Sequence, residues 1–391
     1  MALKTLDQAD LTNKTVLVRV DFNVPIQNGN VADTSRIEAV KPTIEYLLQH
    51  NCKIILCSHL GRPEGNKNPE FSLKQIVSSA SKILGHPIGF CAEPQTELVK
   101  NALVKNQIIL LENTRYYPGE EANDKTFAQQ LASLANVYVN DAFGASHRAH
   151  ASTEGVTKFL PSYAGKLVEA EINALSKIRE GSPKPPFTFV IGGAKIDTKI
   201  GILKNFIDKA DNILIGGALA NTFLAAAGFN VAESKVETDK TAIAQEIMLL
   251  AEKHHGRLLI PVDVIVADEV SNTTLTINIP VEDVLGNMKI LDIGNKTIET
   301  YSEIIKNSAT VVWNGPMGLY ELEPFQNGTK MIAEAIANSP CKSYVGGGDS
   351  VDALAKLNVD QTKFTHISTG GGAMIEYIEG NKMPGLEPLM D

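Results

Sequence analysis

Short, nearly uninterrupted apolar runs that end in charged or glycine-rich turns constrain this chain more than any other feature. They are VLVRVDF (16–22), KIILC (53–57), IILL (108–111) and VYVND (137–141) in the first half. In the second half come FTFVI (187–191), NILI (212–215), RLLIPVDVIV (257–266), TVVW (310–313) and KSYVG (342–346). Each is β-rich without strict alternation, the pattern of strands buried on both faces. Amphipathic stretches of helical period lie between them, such as KTFAQQLASLA (125–135) and TKIGILKNFIDKA (198–210). This alternation predicts an α/β fold, with parallel sheets flanked by helices.

A chain of 391 residues is long for a single core, so two domains are expected. The clearest break is EGSPKPPF (180–187), whose prolines end the preceding helix and favour an extended linker. AGKLVEAEINALSKIRE (164–180) reads as a long helix leading into it, so the two α/β domains are placed around a helix near residues 165–182.

Composition excludes several classes. Hydrophobic residues make up 43% and charged residues 21%, too apolar a balance for global disorder. A net charge of -9 argues against nucleic acid as a partner. Cys52, Cys57, Cys91 and Cys341 form no CxxC pair and no disulfide framework, so free buried thiols in a reducing cytoplasm are expected. The N-terminal MALKTLDQAD has no apolar core and does not read as a signal peptide. Asn212 to Ala232 lacks charge, but Gly216, Gly217, Asn221 and Gly228 suit a strand, a turn and a buried helix better than a membrane span. The expectation is a soluble protein.

Two counts are more informative. Only seven of the 36 basic residues are Arg, and five of them precede residue 150; twenty of the 30 Gly follow residue 190. Ligands of open α/β sheets bind beyond the carboxyl ends of the strands. In the first half those ends lead to Asp21, Asn23 and Arg36, to His59 and Arg62, to Arg115, and to His147, Arg148 and His150. Guanidinium groups match phosphate and carboxylate oxygens, which points to a small, multiply anionic metabolite. Arg19 lies within a strand pattern and reads instead as a structural ion-pair partner. His147 and His150 could begin a metal site, but no third ligand is close in sequence; a phosphate donor or a packing histidine are the alternatives.

In the second half strands end in Gly192-Gly193-Ala194-Lys195, Gly216-Gly217-Ala218, Gly346-Gly347-Gly348-Asp349-Ser350 and Gly370-Gly371-Gly372-Ala373, each placed before a helix. Glycine permits close approach of backbone to ligand, and helix N-termini offer free N–H groups to phosphate. Four such loops point to a nucleotide or another large phosphorylated ligand. Neither GxxxxGK[ST] nor GxGxxG with its acidic partner is present. Lys195 and Lys199, read as one helical turn apart, are candidate phosphate donors. Asp349 is a helix N-cap, a holder of magnesium by way of water, or both. Asn314 and Glu321 follow the strand that carries the only Trp, with Glu321 a candidate acceptor for a ribose.

RVDFNVP (19–25), SHLGRP (58–63), LLENTRYYPGEE (110–121), NDAFGASHRAH (140–150), GGAKIDTKI (192–200), WNGPMGLYE (313–321), GGGDS (346–350) and STGGGA (368–373) resemble the phosphoglycerate kinases, in order along nearly the whole chain and at a bacterial-type length. The resemblance implies two Rossmann-like domains joined by a hinge helix. Residues 1–170 would bind 3-phosphoglycerate, 171–372 would bind nucleotide, and 373–391 would pack back on the first domain. It implies a substrate site of Asp21, Phe22, Asn23, Arg36, His59, Leu60, Gly61, Arg62, Arg115 and Arg148. The implied nucleotide site is Gly193, Lys195, Lys199, Gly217, Asn314, Pro316, Glu321, Gly347, Gly348, Asp349 and Ser350, with nucleotide-bound Mg²⁺ held through water by Asp349. The implied reaction is reversible phosphoryl transfer between 1,3-bisphosphoglycerate and ADP, giving 3-phosphoglycerate and ATP in glycolysis. Arg36 and Lys199, supported by Lys195, would stabilise the transferring group without a general base, and the domains would close around it. A cytoplasmic monomer with neither nucleic-acid nor membrane partners is implied as well.

Three positions depart from the family pattern: Ala218 for a third glycine, Ser350 for threonine, and Thr114 for an apolar residue. Two rivals are a dinucleotide-dependent dehydrogenase and a non-catalytic binder of phosphorylated metabolites. The missing GxGxxG opposes the first, and the lysine pair with the Asp349 loop opposes the second.

Overall fold

A computed structural model describes the chain apart from Met1, Asn28, Gly181, Ser182, Asp197, Thr198, His255 and Gly256. Part of the predicted Pro-rich linker thus lies outside the described residues. The chain forms two compact units: unit 1 comprises Met1–Ser176 and Gly380–Asp391, and unit 2 comprises Lys177–Glu379.

Unit 1 is built on six parallel strands: β1 (Thr15–Val20), β2 (Lys53–Cys57), β3 (Ile88–Cys91), β4 (Ile108–Leu111), β5 (Val137–Asp141) and β6 (Ser162–Ala164). Their spatial order is β3-β4-β2-β1-β5-β6. Val16, Val18, Ile54, Leu56, Ile108, Leu110 and Val139 pack on one face, while Leu17, Ile55, Ile109, Leu111 and Tyr138 pack on the other. Side chains alternate between faces; because both faces are apolar, the runs show no alternation in sequence. Helix α1 (Ser35–Ala39) follows a short hairpin after β1, and helix α2 (Lys166–Arg179) contains the boundary between units.

The start of α2 is set by Asp141 at the end of β5. Its Oδ1 accepts from the N–H groups of Leu167 (3.0 Å) and Val168 (3.4 Å). Gly165 permits that approach, since a Cβ there would lie 2.1 Å from the same oxygen. Burial pushes the Asp141 carboxyl up to about 7. Asp141→Ala is expected to cost about 1–2 kcal/mol through loss of the cap. Asp141→Asn, which keeps an accepting oxygen, should retain most of it. Urea midpoints of the two variants measure the difference; equal midpoints would remove the cap from the account.

Unit 2 holds a second parallel sheet, made of β7 (Phe187–Ile191), β8 (Asn212–Ile215), β9 (Arg257–Leu259), β13 (Thr310–Asn314), β14 (Lys342–Gly346) and β15 (His366–Ile367). The order is β9-β8-β7-β13-β14-β15. A separate antiparallel sheet places β10 (Asp263–Ala267) between β11 (Ile277–Pro280) and β12 (Lys289–Ile293). The run 257–266, read as one strand, is therefore two strands in different sheets. Pro261 lies between them; it has no N–H for a ladder, and the chain changes direction there.

The helices that matter to the site are α3 (Ile200–Ile207), α4 (Gly217–Ala226), α5 (Gly348–Lys356) and α6 (Gly371–Glu379). The uncharged stretch 212–232 contains β8 and the buried α4, and no described helix is long and apolar enough to cross a membrane. Helix α6 belongs to unit 2, where Met374 and Ile378 are buried, so the returning terminal segment begins at Gly380 and not at residue 373. That segment is tied into unit 1 by Asn140 Nδ2, which donates to Gly385 O (2.8 Å), and by a bridge between Leu3 and Met390. Cys52, Cys57 and Cys91 are buried free thiols; Cys341 is free but only half-buried.

Candidate functional site

The four adjacent strands β4, β2, β1 and β5 bring their carboxyl ends to one edge of unit 1. Asp21 leaves β1 there, and its Oδ2 accepts from Arg36 Nη1 at 3.0 Å. The same nitrogen donates to Asn23 O at 3.1 Å. Asn23 Oδ1 accepts from Gly61 N–H (2.9 Å), and Gly61 O accepts from Arg115 Nη1 (2.8 Å). Phe22 N–H donates to Ser58 Oγ (2.8 Å), and Leu60 O accepts from Asn113 Nδ2 (2.7 Å). The Asn113 side chain also caps the short turn that presents Arg115, accepting its N–H at 3.0 Å. Asp21, Phe22, Asn23, Arg36, Leu60, Gly61 and Arg115 are thus one hydrogen-bonded constellation.

His59 adjoins it, buried, with Nδ1 at 3.9 Å from Asp21 Oδ1. Arg148 donates from Nε to His147 (3.0 Å), and its charge helps to lower the pKa of Arg115, for which burial is the larger cause. Arg62 is exposed and has no hydrogen bond or ion pair to the described residues. His150 is a buried ring whose Nδ1 lies 3.9 Å from Glu120, and burial, with the charge of Arg115 next, depresses it to about 4.

Arg19 is expected to be an ion-pair partner, yet no carboxylate among the described residues pairs with it. Its Nε donates to Ser152 Oγ (2.8 Å), its Nη1 donates to Val20 O, and its Nη2 lies 3.1 Å from His59 Nδ1. A buried carboxyl, Glu120, is one hydroxyl further on: Ser152 Oγ donates to Glu120 Oε1 at 2.5 Å.

In unit 2 the adjacent strands β8, β7, β13 and β14 end together. Gly192 N–H donates to Asn314 O (3.0 Å), Gly193 N–H to Pro316 O (3.0 Å) and Gly217 N–H to Met317 O (2.7 Å), so three strand-end loops are laced by backbone bonds. Gly217 has φ +64°, and a Cβ there would stand 2.7–2.8 Å from Gly193 N and O and from Pro316 O. Only glycine fits that turn.

Two adjoining cavities open above these loops. One, of about 410 Å³, is largely apolar; Gly193, Gly217, Pro316, Glu321 and Asp349 line it together with Val264, Ile290 and Leu291. The other, of about 250 Å³, is lined by Gly193, Lys195, Lys199, Asn314, Gly347, Gly348, Asp349 and Ser350. Every residue of the expected nucleotide set lines one or both. Ala218 puts its methyl group in the wall of the larger cavity. The Ser350 hydroxyl is used internally: it accepts from Gly315 N–H (2.7 Å) and donates to Gly346 O (3.1 Å).

Local structure corrects two readings. Lys195 and Lys199 are not a turn apart on a helix, because α3 begins only at Ile200 and Lys199 is its N-cap. Nor is Asp349 a cap: Gly347 holds that position and Asp349 lies in the first turn of α5, exposed. Lys199 Nζ bonds Asn314 Oδ1, while Asn314 Nδ2 donates to Gly346 O (2.7 Å). Burial lowers the Lys199 ammonium to about 8, opposed by the Asp349 charge. Spacing alone did not indicate Arg19, Glu120 and Ser152 in unit 1, or the apolar wall from β10 and β12 in unit 2. The in-strand Arg19 was the one visible signal.

Comparison with known proteins accords with this geometry. The family model described as Phosphoglycerate kinase matches residues 6–381. The phosphoglycerate kinase of Finegoldia magna is 46% identical over 394 residues, covering 99% of each chain. That of Moorella thermoacetica is 47% identical over 394 residues, covering 100% of each. Among solved structures, phosphoglycerate kinase from Coxiella burnetii superposes with a TM-score of 0.86 at 37% identity, over 99% of each chain. The enzyme from Pyrococcus horikoshii gives 0.87 at 30% identity, over 99% of this chain and 98% of that one.

Proposed function

The chain belongs to the phosphoglycerate kinase family and transfers a phosphoryl group between 1,3-bisphosphoglycerate and ADP, a step of glycolysis, and from that premise we propose how its two units divide the work. Unit 1 binds 3-phosphoglycerate at its Arg-bearing strand ends. Unit 2 binds the nucleotide, with the base in the apolar cavity and the phosphates in the polar one. The observation that carries this reading is the partition of chemistry: guanidinium groups crowd one sheet edge, and glycine backbone beside two lysines lines the other.

When ATP is consumed, the attacking group is the carboxylate of 3-phosphoglycerate. A carboxyl group of pKa about 4 is ionised at neutral pH, so no general base is required. What remains is positioning and charge stabilisation. Arg36 and Lys199 stabilise the transferring group, with Lys195 in support, and Asn314 orients Lys199. The free N–H groups at the start of α5 suit phosphate oxygens. Asp349 fits a nucleotide-bound cation, because its carboxylate is exposed in the walls of both cavities and has no ion pair among the described residues. Mg²⁺, when bound there, supplies neutralising charge at the phosphates. Closure of the units aligns the reactants and excludes the water that would hydrolyse an acyl phosphate. The enzyme acts as a cytoplasmic monomer, without nucleic-acid or membrane partners.

Lys199 makes this testable by pH. A group at about 8 is cationic below that pH and neutral above it. The kcat/KM for ATP, which reports the free enzyme, is expected to fall as pH rises through about 8. Lys199→Arg, whose charge persists, should move that limb to higher pH even where the absolute rate is lower. A profile that stays flat well above this range would take Lys199 out of the mechanism.

A further inference from the structure

We propose that Arg19 is a positioning residue for the reaction: it fixes His59 as a neutral imidazole with its proton on Nε2, so that the ring meets the acid substrate as a hydrogen-bond donor. The inference rests on the placement of 3-phosphoglycerate on unit 1 and adds to it a residue that does not touch the substrate. Arg19 is only 1% exposed, and all three of its nitrogens are engaged. A guanidinium donates and never accepts. His59 Nδ1, 3.1 Å from Arg19 Nη2, must therefore be a bare acceptor, and in a neutral ring the proton is left on Nε2.

The far end of the network is fixed by the same logic. Ser152 Oγ accepts from Arg19 Nε, so its single proton goes to Glu120 Oε1, while Ser152 N–H donates to Glu120 Oε2 at 3.0 Å. With Glu120 accepting both Ser152 donors, each proton along Ser152, Arg19 and His59 has one place. Burial raises the pKa of Glu120, opposed by the Arg19 charge and by the two Ser152 bonds; the carboxyl meets Arg19 only at one remove, which leaves Nη2 of Arg19 directed at the imidazole.

The surroundings of His59 favour the neutral ring. Burial lowers its pKa most, followed by the charges of Arg19, Arg115, Arg36 and His150. Asp21, the one carboxylate within 4 Å of Nδ1 among the described residues, is 3.9 Å away, beyond hydrogen-bond reach, and is engaged by Arg36. Nothing among the described residues bonds Nε2. With the other tautomer, the ring would turn a lone pair toward anionic oxygens; with this one it turns an N–H.

Imidazole nitrogen NMR on the full-length protein, with His59 assigned by His59→Gln, reads the tautomer directly. The wild-type ring is expected to carry its proton on Nε2 and to show no titration near the ordinary value of about 6.5. In Arg19→Met the ring should become a tautomer mixture whose titration moves up toward that value without reaching it, because burial and the charges of Arg115 and Arg36 persist. Its KM for 3-phosphoglycerate should rise about five- to tenfold at alkaline pH, the scale of one hydrogen bond. The excess over wild type should shrink on acidification, because the imidazolium carries an Nε2 proton in any case. Arg19→Lys, which keeps a donor, should recover part of the effect. A wild-type His59 protonated on Nδ1, or titrating near 6.5, overturns the proposal, as does a folded Arg19→Met protein with an unchanged spectrum and KM profile. The wild-type spectrum decides even if Arg19→Met fails to fold. Should His59→Ala leave the KM for 3-phosphoglycerate unchanged, the placement of the substrate fails, a result distinct from a wrong tautomer.

Discussion

Replacing Arg36 with Ala is expected to lower kcat by about 10²- to 10³-fold, the scale of removing one pre-organised donor to developing charge, while the Kd for ADP changes by no more than about twofold. The expectation follows from how the side chain is held. Nη1 alone is tethered, to Asp21 Oδ2 and Asn23 O. Nε and Nη2 have no partner among the described residues, so one edge of the fork fixes the group and the other edge stays available to an anion. Lys cannot reproduce that division, since it has a single nitrogen, and Arg36→Lys should rescue little. ADP affinity should be insulated, because every residue lining the two cavities proposed for the nucleotide belongs to unit 2. Steady-state turnover and calorimetric ADP binding separate the two quantities. If ADP affinity fell in step with turnover, the assignment of the ligands to separate units would be wrong.

The central strands of both parallel sheets were legible because burial on two faces leaves a continuous apolar run. Three of the four edge strands were not. β3, β6 and β15 are two to four residues long and include Gly89, Ser162 and His366, so no run announces them. The fusion of β9 with β10 had the opposite cause: hydropathy continues across Pro261 although the ladder does not. Lys195 and Lys199 read as one helical turn apart because the apolar period of 198–210 is helical, yet Lys195 lies outside any described helix and Lys199 is the N-cap of α3.

The candidate ligand set could be proposed for a related reason. A charge or a glycine just after a buried strand lies at the carboxyl edge of the sheet, so Asp21, His59, Arg115, Gly193, Gly217, Asn314 and Gly347 could be named from position alone. What supports them could not. Arg19 and Ser152 are separated by 133 positions, and Ser152 and Glu120 by 32. Such partners are set by which strands and loops become neighbours, and no local pattern in a single sequence encodes that. The apolar wall given by Val264, Ile290 and Leu291 comes from the antiparallel sheet and was hidden for the same reason.

Lys199→Ala should match the Arg36 variant in size, about 10²- to 10³-fold in kcat, with a smaller, few-fold rise in the KM for ATP. The ammonium is half-buried, its orientation is fixed through Asn314, and that carboxamide is itself anchored to Gly346 O. Removing it leaves an oriented but unopposed acceptor, so Asn314→Ala should reproduce part of the loss through misplacement of Lys199. The two cations are proposed to act on one phosphoryl group from different units, and this gives a sharper test than either variant alone. Groups that stabilise the same transition state are not additive. Arg36→Ala combined with Lys199→Ala should therefore lose less than the product of the single effects in kcat, while their effects on ADP binding remain independent. Strictly multiplicative losses in kcat would mean that the two residues act in separate steps, and the shared transfer point would have to be abandoned.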